Sequence, residues 1–112
     1  MPRDEDRLLD MANAARDACD AVAGIDLDAF RGSRLVQAAT ERGLMIIGEA
    51  ARHVSPDFQE AHPEIDWRAI TGLRNLLVHE YRRISLERLH DIASRDVPRF
   101  LDVLGPLLPP AP

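Results

Sequence analysis

Four side chains able to do chemistry fall within eight residues: Arg74, Asn75, His79 and Tyr81, in the run Gly72-Leu73-Arg74-Asn75-Leu76-Leu77-Val78-His79-Glu80-Tyr81. A guanidinium can hold a phosphate through two parallel N–H bonds, and an imidazole can take up or release a proton near neutral pH. Side by side, the two suit chemistry on a phosphodiester. The same stretch carries Trp67, Ile70, Leu73, Leu76, Leu77 and Val78, so the helix it predicts otherwise reads as core. Polar groups on a mostly buried helix cost stability unless they are paired or hydrogen-bonded. Four of them there imply that they act together.

At about 100° per residue, Arg68, Thr71, Asn75, His79 and Arg82 share one polar stripe, with Asn75 and His79 as i, i+4 neighbours. Arg74 and Tyr81 lie on an adjoining face, so Arg74 and His79 diverge by about 140° around an ideal helix. Either the helix unwinds near its end, or a second copy across a two-fold axis completes the site. The second option predicts a homodimer. The same residues could instead cap carbonyls and complement the helix dipole, and spacing alone does not choose.

The elements that must position them are helices. A first helix is expected from about Asp4 to Ala23, with Leu8, Ala12, Ala15, Cys19 and Val22 spaced by fours and threes and Gly24 as the stop. A second is expected from about Asp28 to Val54, with Val36, Ala39, Gly43, Ile46, Ala50 and Val54 as its face. Its Gly43 and Gly48 would let a neighbouring helix approach closely. Ser55 to Pro63 reads as a connector with one turn of helix around Phe58. The third helix starts at Asp66, a good N-cap, and ends near Tyr81 or Arg82. Ser85 caps the fourth, which carries Leu86, Leu89, Ile92 and Ala93, is kinked or restarted by Pro98, and continues through Phe100, Leu101, Leu104 and Leu108. The expected architecture is an all-α, antiparallel four-helix bundle: one domain over residues 1–108, then a disordered proline-rich tail, 109–112.

The 112-residue chain has the composition of a water-soluble protein, 46% hydrophobic and 29% charged. It has no run near the roughly 20 apolar residues that span a bilayer. Its start, Met1-Pro2-Arg3-Asp4-Glu5-Asp6, is charged and unlike a secretory signal, so a cytoplasmic location and no membrane partner are expected. Cys19, the single cysteine, excludes an internal disulfide and reads as a small hydrophobe on the first helix. The net charge of −5 argues against broad electrostatic binding to nucleic acid. All 14 basic residues are arginine, however, which suits local phosphate recognition where several converge.

The block Arg74 to Tyr81 resembles the R-x4-H-x-Y motif of the HepT toxins, helical ribonucleases of the HEPN superfamily. Ile47-Gly48-Glu49-Ala50-Ala51, Pro63-Glu64-Ile65-Asp66-Trp67 and Asp96-Val97-Pro98 resemble further blocks of that family, in order, so the likeness spans nearly the whole chain. It implies a dimeric, metal-independent endoribonuclease without a cofactor, and RNA as substrate. Arg74 and His79 would be the catalytic pair, with Asn75 holding the imidazole or a phosphate oxygen. Glu49 would either orient Arg74 from the second helix or serve as a surface partner of Arg52. Arg68, Arg82 and Arg83 would supply the local positive field. Family members of this kind are paired with an MntA-type minimal nucleotidyltransferase antitoxin that adenylylates the motif tyrosine, here Tyr81. AMP on Tyr81 would add bulk and negative charge beside Arg74 and His79. The alternative is a non-catalytic helical partner, a substrate-binding subunit of such a nucleotidyltransferase.

Other chemistry finds little footing. His79-Glu80 begins like a zinc HExxH, but Arg83 stands where the second histidine belongs. Glu49 and His53, at i and i+4, read as an exposed ion pair rather than as metal ligands. His53, His62 and His90 are scattered, and no phosphate-binding glycine loop or Cys–His pair is present.

Overall fold

The structure, a computed structural model, describes residues 2–110, without the side chains of Pro2 and Tyr81. The fold is an all-α helical bundle, and no strand occurs among the described residues. Helix α1, Pro2–Val22, buries Leu8, Met11, Ala12, Ala15, Ala18 and Val22, the expected face widened by Met11 and Ala18. Gly24 ends it at φ 71°, a left-handed turn that glycine adopts without a Cβ penalty. Cys19 is partly buried with Sγ 3.9 Å from the Ala93 carbonyl, and burial followed by the charge of Asp20 pushes its thiol up, disfavouring the reactive thiolate.

The second expected helix is broken in two. Asp26 caps a short α2, Leu27–Arg31; Gly32 ends it, and Ser33 starts α3, Arg34–Arg52, by accepting the Val36 N–H. The periodicity carried on through this break because Phe30 and Val36 are both apolar. Helix α3 also differs in its buried face. Thr40, Gly43, Leu44, Ile47, Gly48, Ala50 and Ala51 are buried, while Ala39 is exposed and Ile46 only half-buried. The reason is packing on more than one side: α3 lies along α1 and also along α5.

The connector holds α4, Pro56–Ala61, capped by Ser55. Ser55 is itself held by the buried Asp4, whose carboxylate accepts the Ser55 N–H at 2.9 Å and its hydroxyl at 2.7 Å. Asp66 caps α5, Trp67–His79, through the Ala69 N–H. The Trp67 indole N–H donates to the His62 carbonyl, and its ring meets Phe58 edge-on at 6.2 Å.

Ser85 caps α6, Leu86–Asp91, which runs through a π turn, Ile92–Asp96, into α7, Val97–Leu104. Pro98 has no N–H to donate, and the disruption is absorbed just before it: the turn widens so that the Val97 N–H reaches the Ile92 carbonyl. α1 packs on α7 as well as on α3. The expected tail is described only as far as Pro110; Ala111 and Pro112 lie outside the described residues. No helix among them is long and apolar enough to cross a membrane.

Candidate functional site

Helix α5 meets α3 where Gly48 faces Arg74. A Cβ on Gly48 would overlap the Arg74 Cβ and lie 2.9 Å from its Cγ and 3.1 Å from the Ile70 carbonyl oxygen. Glycine at this position is therefore what allows the root of Arg74 to sit against the α3 backbone. Its guanidinium then extends along the junction, with the side chain 19% exposed. Nη2 lies 3.0 Å from Oε2 of Glu49, and Nη1 donates to Oδ1 of Asn75 at 3.0 Å.

Glu49 carries this corner. Its side chain is half-exposed, yet Oε2 is sealed from solvent. Although Nη2 is close, no N–H is aligned with Oε2, so the contact is a charge pair and the oxygen keeps unused acceptor capacity. Oε1 receives His53 Nε2 at 3.2 Å, and Arg52 Nη1 stands 3.7 Å from Oε2. The bond from His53 holds the Glu49 carboxyl below its ordinary value, outweighing partial desolvation and helped by the charges of Arg52 and Arg74. Glu49 thus faces Arg74 and also lies within ion-pair distance of Arg52. Glu49 and His53, expected to pair by their spacing, meet through this hydrogen bond.

His79 is the last residue of α5 and is exposed, and its ring has no hydrogen-bond partner among the described residues. Asn75 is one turn earlier, but its carbonyl oxygen is engaged by Arg74 rather than by the imidazole. Thr71 is satisfied locally, its hydroxyl donating to the carbonyls of Trp67 and Arg68. The helix stops two or three residues earlier than expected. Glu80 leaves helical geometry at φ −142°, ψ 41°, and residues Tyr81–Arg83 form a 3₁₀ turn. Tyr81 therefore has no place on the α5 wheel, and its side chain lies outside the described residues. Arg82 and Arg83 are exposed in that turn, where Arg83 bonds to Glu80 at 3.2 and 3.3 Å. Arg68 is exposed in the first turn of α5.

The helix is also less buried than its sequence suggests. Trp67 and Leu77 are covered, but Ile70, Leu73 and Leu76 are half-buried and Val78 is 40% exposed. The first three line an apolar groove of about 500 Å³ with Ile47, Val97 and Phe100, and Arg83 and Arg88 also border it. Missing from the sequence reading was His53 as part of this corner; its i, i+4 spacing from Glu49 was the available signal.

A family model described as "Ribonuclease HepT-like" matches residues 11–107. The chain is 37% identical to "Putative RNase MJ1380" of Methanocaldococcus jannaschii over 93 residues, 83% of this chain and 85% of that protein. It is 33% identical to "Probable ribonuclease HepT" of Thermococcus cleftensis over 94 residues, 84% and 86% of the two chains. No solved structure gives a significant match. A helical bundle matched over nearly its full length, with Arg74 lodged against Gly48 and Glu49, places this chain in the ribonuclease HepT-like family.

Proposed function

We infer that the chain is a metal-independent endoribonuclease and the toxin of a toxin–antitoxin pair. Its enzyme class follows from the family; the residue roles rest on the site. The observation that carries them is Arg74, set at the α3–α5 junction by Gly48 and Glu49 rather than free on the surface. A guanidinium fixed in this way can meet the charge that develops on non-bridging phosphate oxygens with little reorganisation. His79, exposed at the end of the same helix, moves the protons. The RNA 2′-hydroxyl loses its proton and attacks the adjacent phosphorus. The new P–O2′ bond forms as the P–O5′ bond breaks, and the departing 5′-oxygen takes up a proton. Asn75 braces Arg74, and Arg68, Arg82 and Arg83 draw in the RNA backbone.

A homodimer accounts for two features at once. Arg74 turns toward α3 while His79 turns outward, and the apolar groove beside them is open in a single copy. A second copy would cover the groove and bring further catalytic groups to the cleft. Regulation would come from an MntA-type nucleotidyltransferase that transfers AMP from ATP to the Tyr81 phenol oxygen, releasing pyrophosphate. The added phosphate would repel RNA at the mouth of the site.

The test is induced expression of wild type, Arg74→Ala and His79→Ala in cells lacking the antitoxin, with cleavage of purified RNA measured in parallel. Wild type should arrest growth and cut RNA, and each variant should lose roughly 100-fold or more in cleavage while keeping its helical circular dichroism. Equal, harmless behaviour of three folded proteins would overturn the reading in favour of a non-catalytic binding partner.

A further inference from the structure

His53 lies outside the Arg74–His79 motif, yet it is wired into the same corner. It is the C-cap of α3, its backbone N–H bonded to the Ala50 and Ala51 carbonyls, so its ring starts from a fixed point. An ionised carboxylate only accepts hydrogen bonds, so the 3.2 Å contact requires His53 Nε2 to carry the proton and donate to Glu49 Oε1.

A carboxylate on a helix surface is free to turn about its last bond. Three cationic or donor groups surround this one: Arg52 and His53 from α3, and Arg74 from α5. Arg52 and Arg74 address the same oxygen, Oε2, at 3.7 and 3.0 Å. Among the described residues, only His53 addresses Oε1. With Oε1 pinned, Oε2 is kept in the sealed junction facing Arg74. With Oε1 free, the carboxylate can swing out to the exposed Arg52, and Arg74 loses its charge pair with α3.

We propose that His53 is a positioning residue that acts through Glu49 to hold the Arg74 guanidinium in place for RNA phosphate. The proposal rests on the ribonuclease reading of Arg74 but reaches a residue that reading does not include. The lowered Glu49 carboxyl, whose largest cause is the His53 bond, is consistent with it.

The experiment compares His53→Ala, His53→Gln, Glu49→Ala and the double variant His53→Ala/Glu49→Ala, using a labelled RNA that the wild type cuts. His53→Ala should lower kcat about tenfold with KM changed little, as expected for loss of a group that orients a catalytic side chain. His53→Gln places an amide N–H near the position of Nε2 and should stay within about twofold of wild type. In the Glu49→Ala background, His53→Ala should add nothing, because the route through the carboxylate is already gone. Wild-type rates in His53→Ala, additive losses in the double variant, or a His53→Gln variant as damaged as His53→Ala would each overturn the proposal.

A separate readout does not depend on cleavage. Carbon NMR titration of Glu49 and nitrogen NMR of the Arg74 guanidinium should show the carboxyl rising toward its ordinary value and the guanidinium signals averaging in His53→Ala, but not in His53→Gln. If the wild type fails to cut RNA, the ribonuclease reading falls alone and these spectra decide the wiring; unchanged spectra in His53→Ala would overturn it.

Discussion

Helix α3 makes two close approaches, and they serve different ends. Toward α1, Gly43 faces backbone and alanine: a Cβ there would lie 3.0 Å from the Ala14 carbonyl oxygen and 3.0 Å from the Ala18 Cβ. Toward α5, Gly48 faces the root of Arg74 and the Ile70 carbonyl. The first contact is fully buried and apolar, so close approach there serves packing. The second ends in a guanidinium, a carboxylate and an amide, so the same device there sets a charged side chain. One residue type at two points five positions apart on one helix thus separates stability from site geometry.

Substitutions can break that comparison. Gly48→Ala should have the largest effect, because the added carbon meets the Arg74 Cβ and the Ile70 backbone, neither of which can yield without moving α5. A loss of roughly 2–3 kcal/mol, read by urea denaturation, is expected, with RNA cleavage falling further than stability explains. Adding Arg74→Gly to Gly48→Ala should recover part of the stability and none of the cleavage, a result that would tie the clash to that side chain. Gly43→Ala should cost about 1 kcal/mol, the tight contacts being partly offset by the better helix propensity of alanine, and should leave cleavage of the folded protein unchanged. Equal effects of the two alanines on cleavage would show that the two close approaches do not differ in role.

The smallest effect concerns Asp4 and pH. The Ser55 hydroxyl and then the Ser55 N–H hold the Asp4 carboxyl below its ordinary value of 3.8. A depressed folded-state value gives stability that is present above the unfolded value and is lost as pH falls through the folded one. Asp4→Asn should therefore be less stable than wild type by about 1 kcal/mol near neutral pH, with the gap closing below about pH 4. A gap that persists unchanged at pH 2 would show that the pairing of Asp4 with Ser55 contributes nothing through charge.

Much of this was legible in the residues. Asp66 and Ser85 announce their helices because a short oxygen side chain before an apolar run satisfies a free N–H, and both do so. Gly43 and Gly48 signalled close approach, although not which neighbours would come. What was not legible depends on tertiary context. Gly32-Ser33 reads as helix interior until Ser33 is seen capping Val36. The end of α5 at His79 carries no glycine or proline to mark it, so a wheel drawn through Tyr81 ran past the end of the helix. Ile70, Leu73 and Leu76 have core character, but hydrophobicity does not say whether the chain's own atoms or another surface cover them.

The uneven support of α5 has a consequence for motion. This helix leans chiefly on α3, whereas α3 is also clasped by α1, which in turn carries α7. Amide hydrogen bonds in proteins open in cooperative units, and a unit with one supporting neighbour opens at less cost than the core it rests on. The amide hydrogens of the segment bearing Arg74 and His79 should therefore exchange faster than those of the α1–α3 pair.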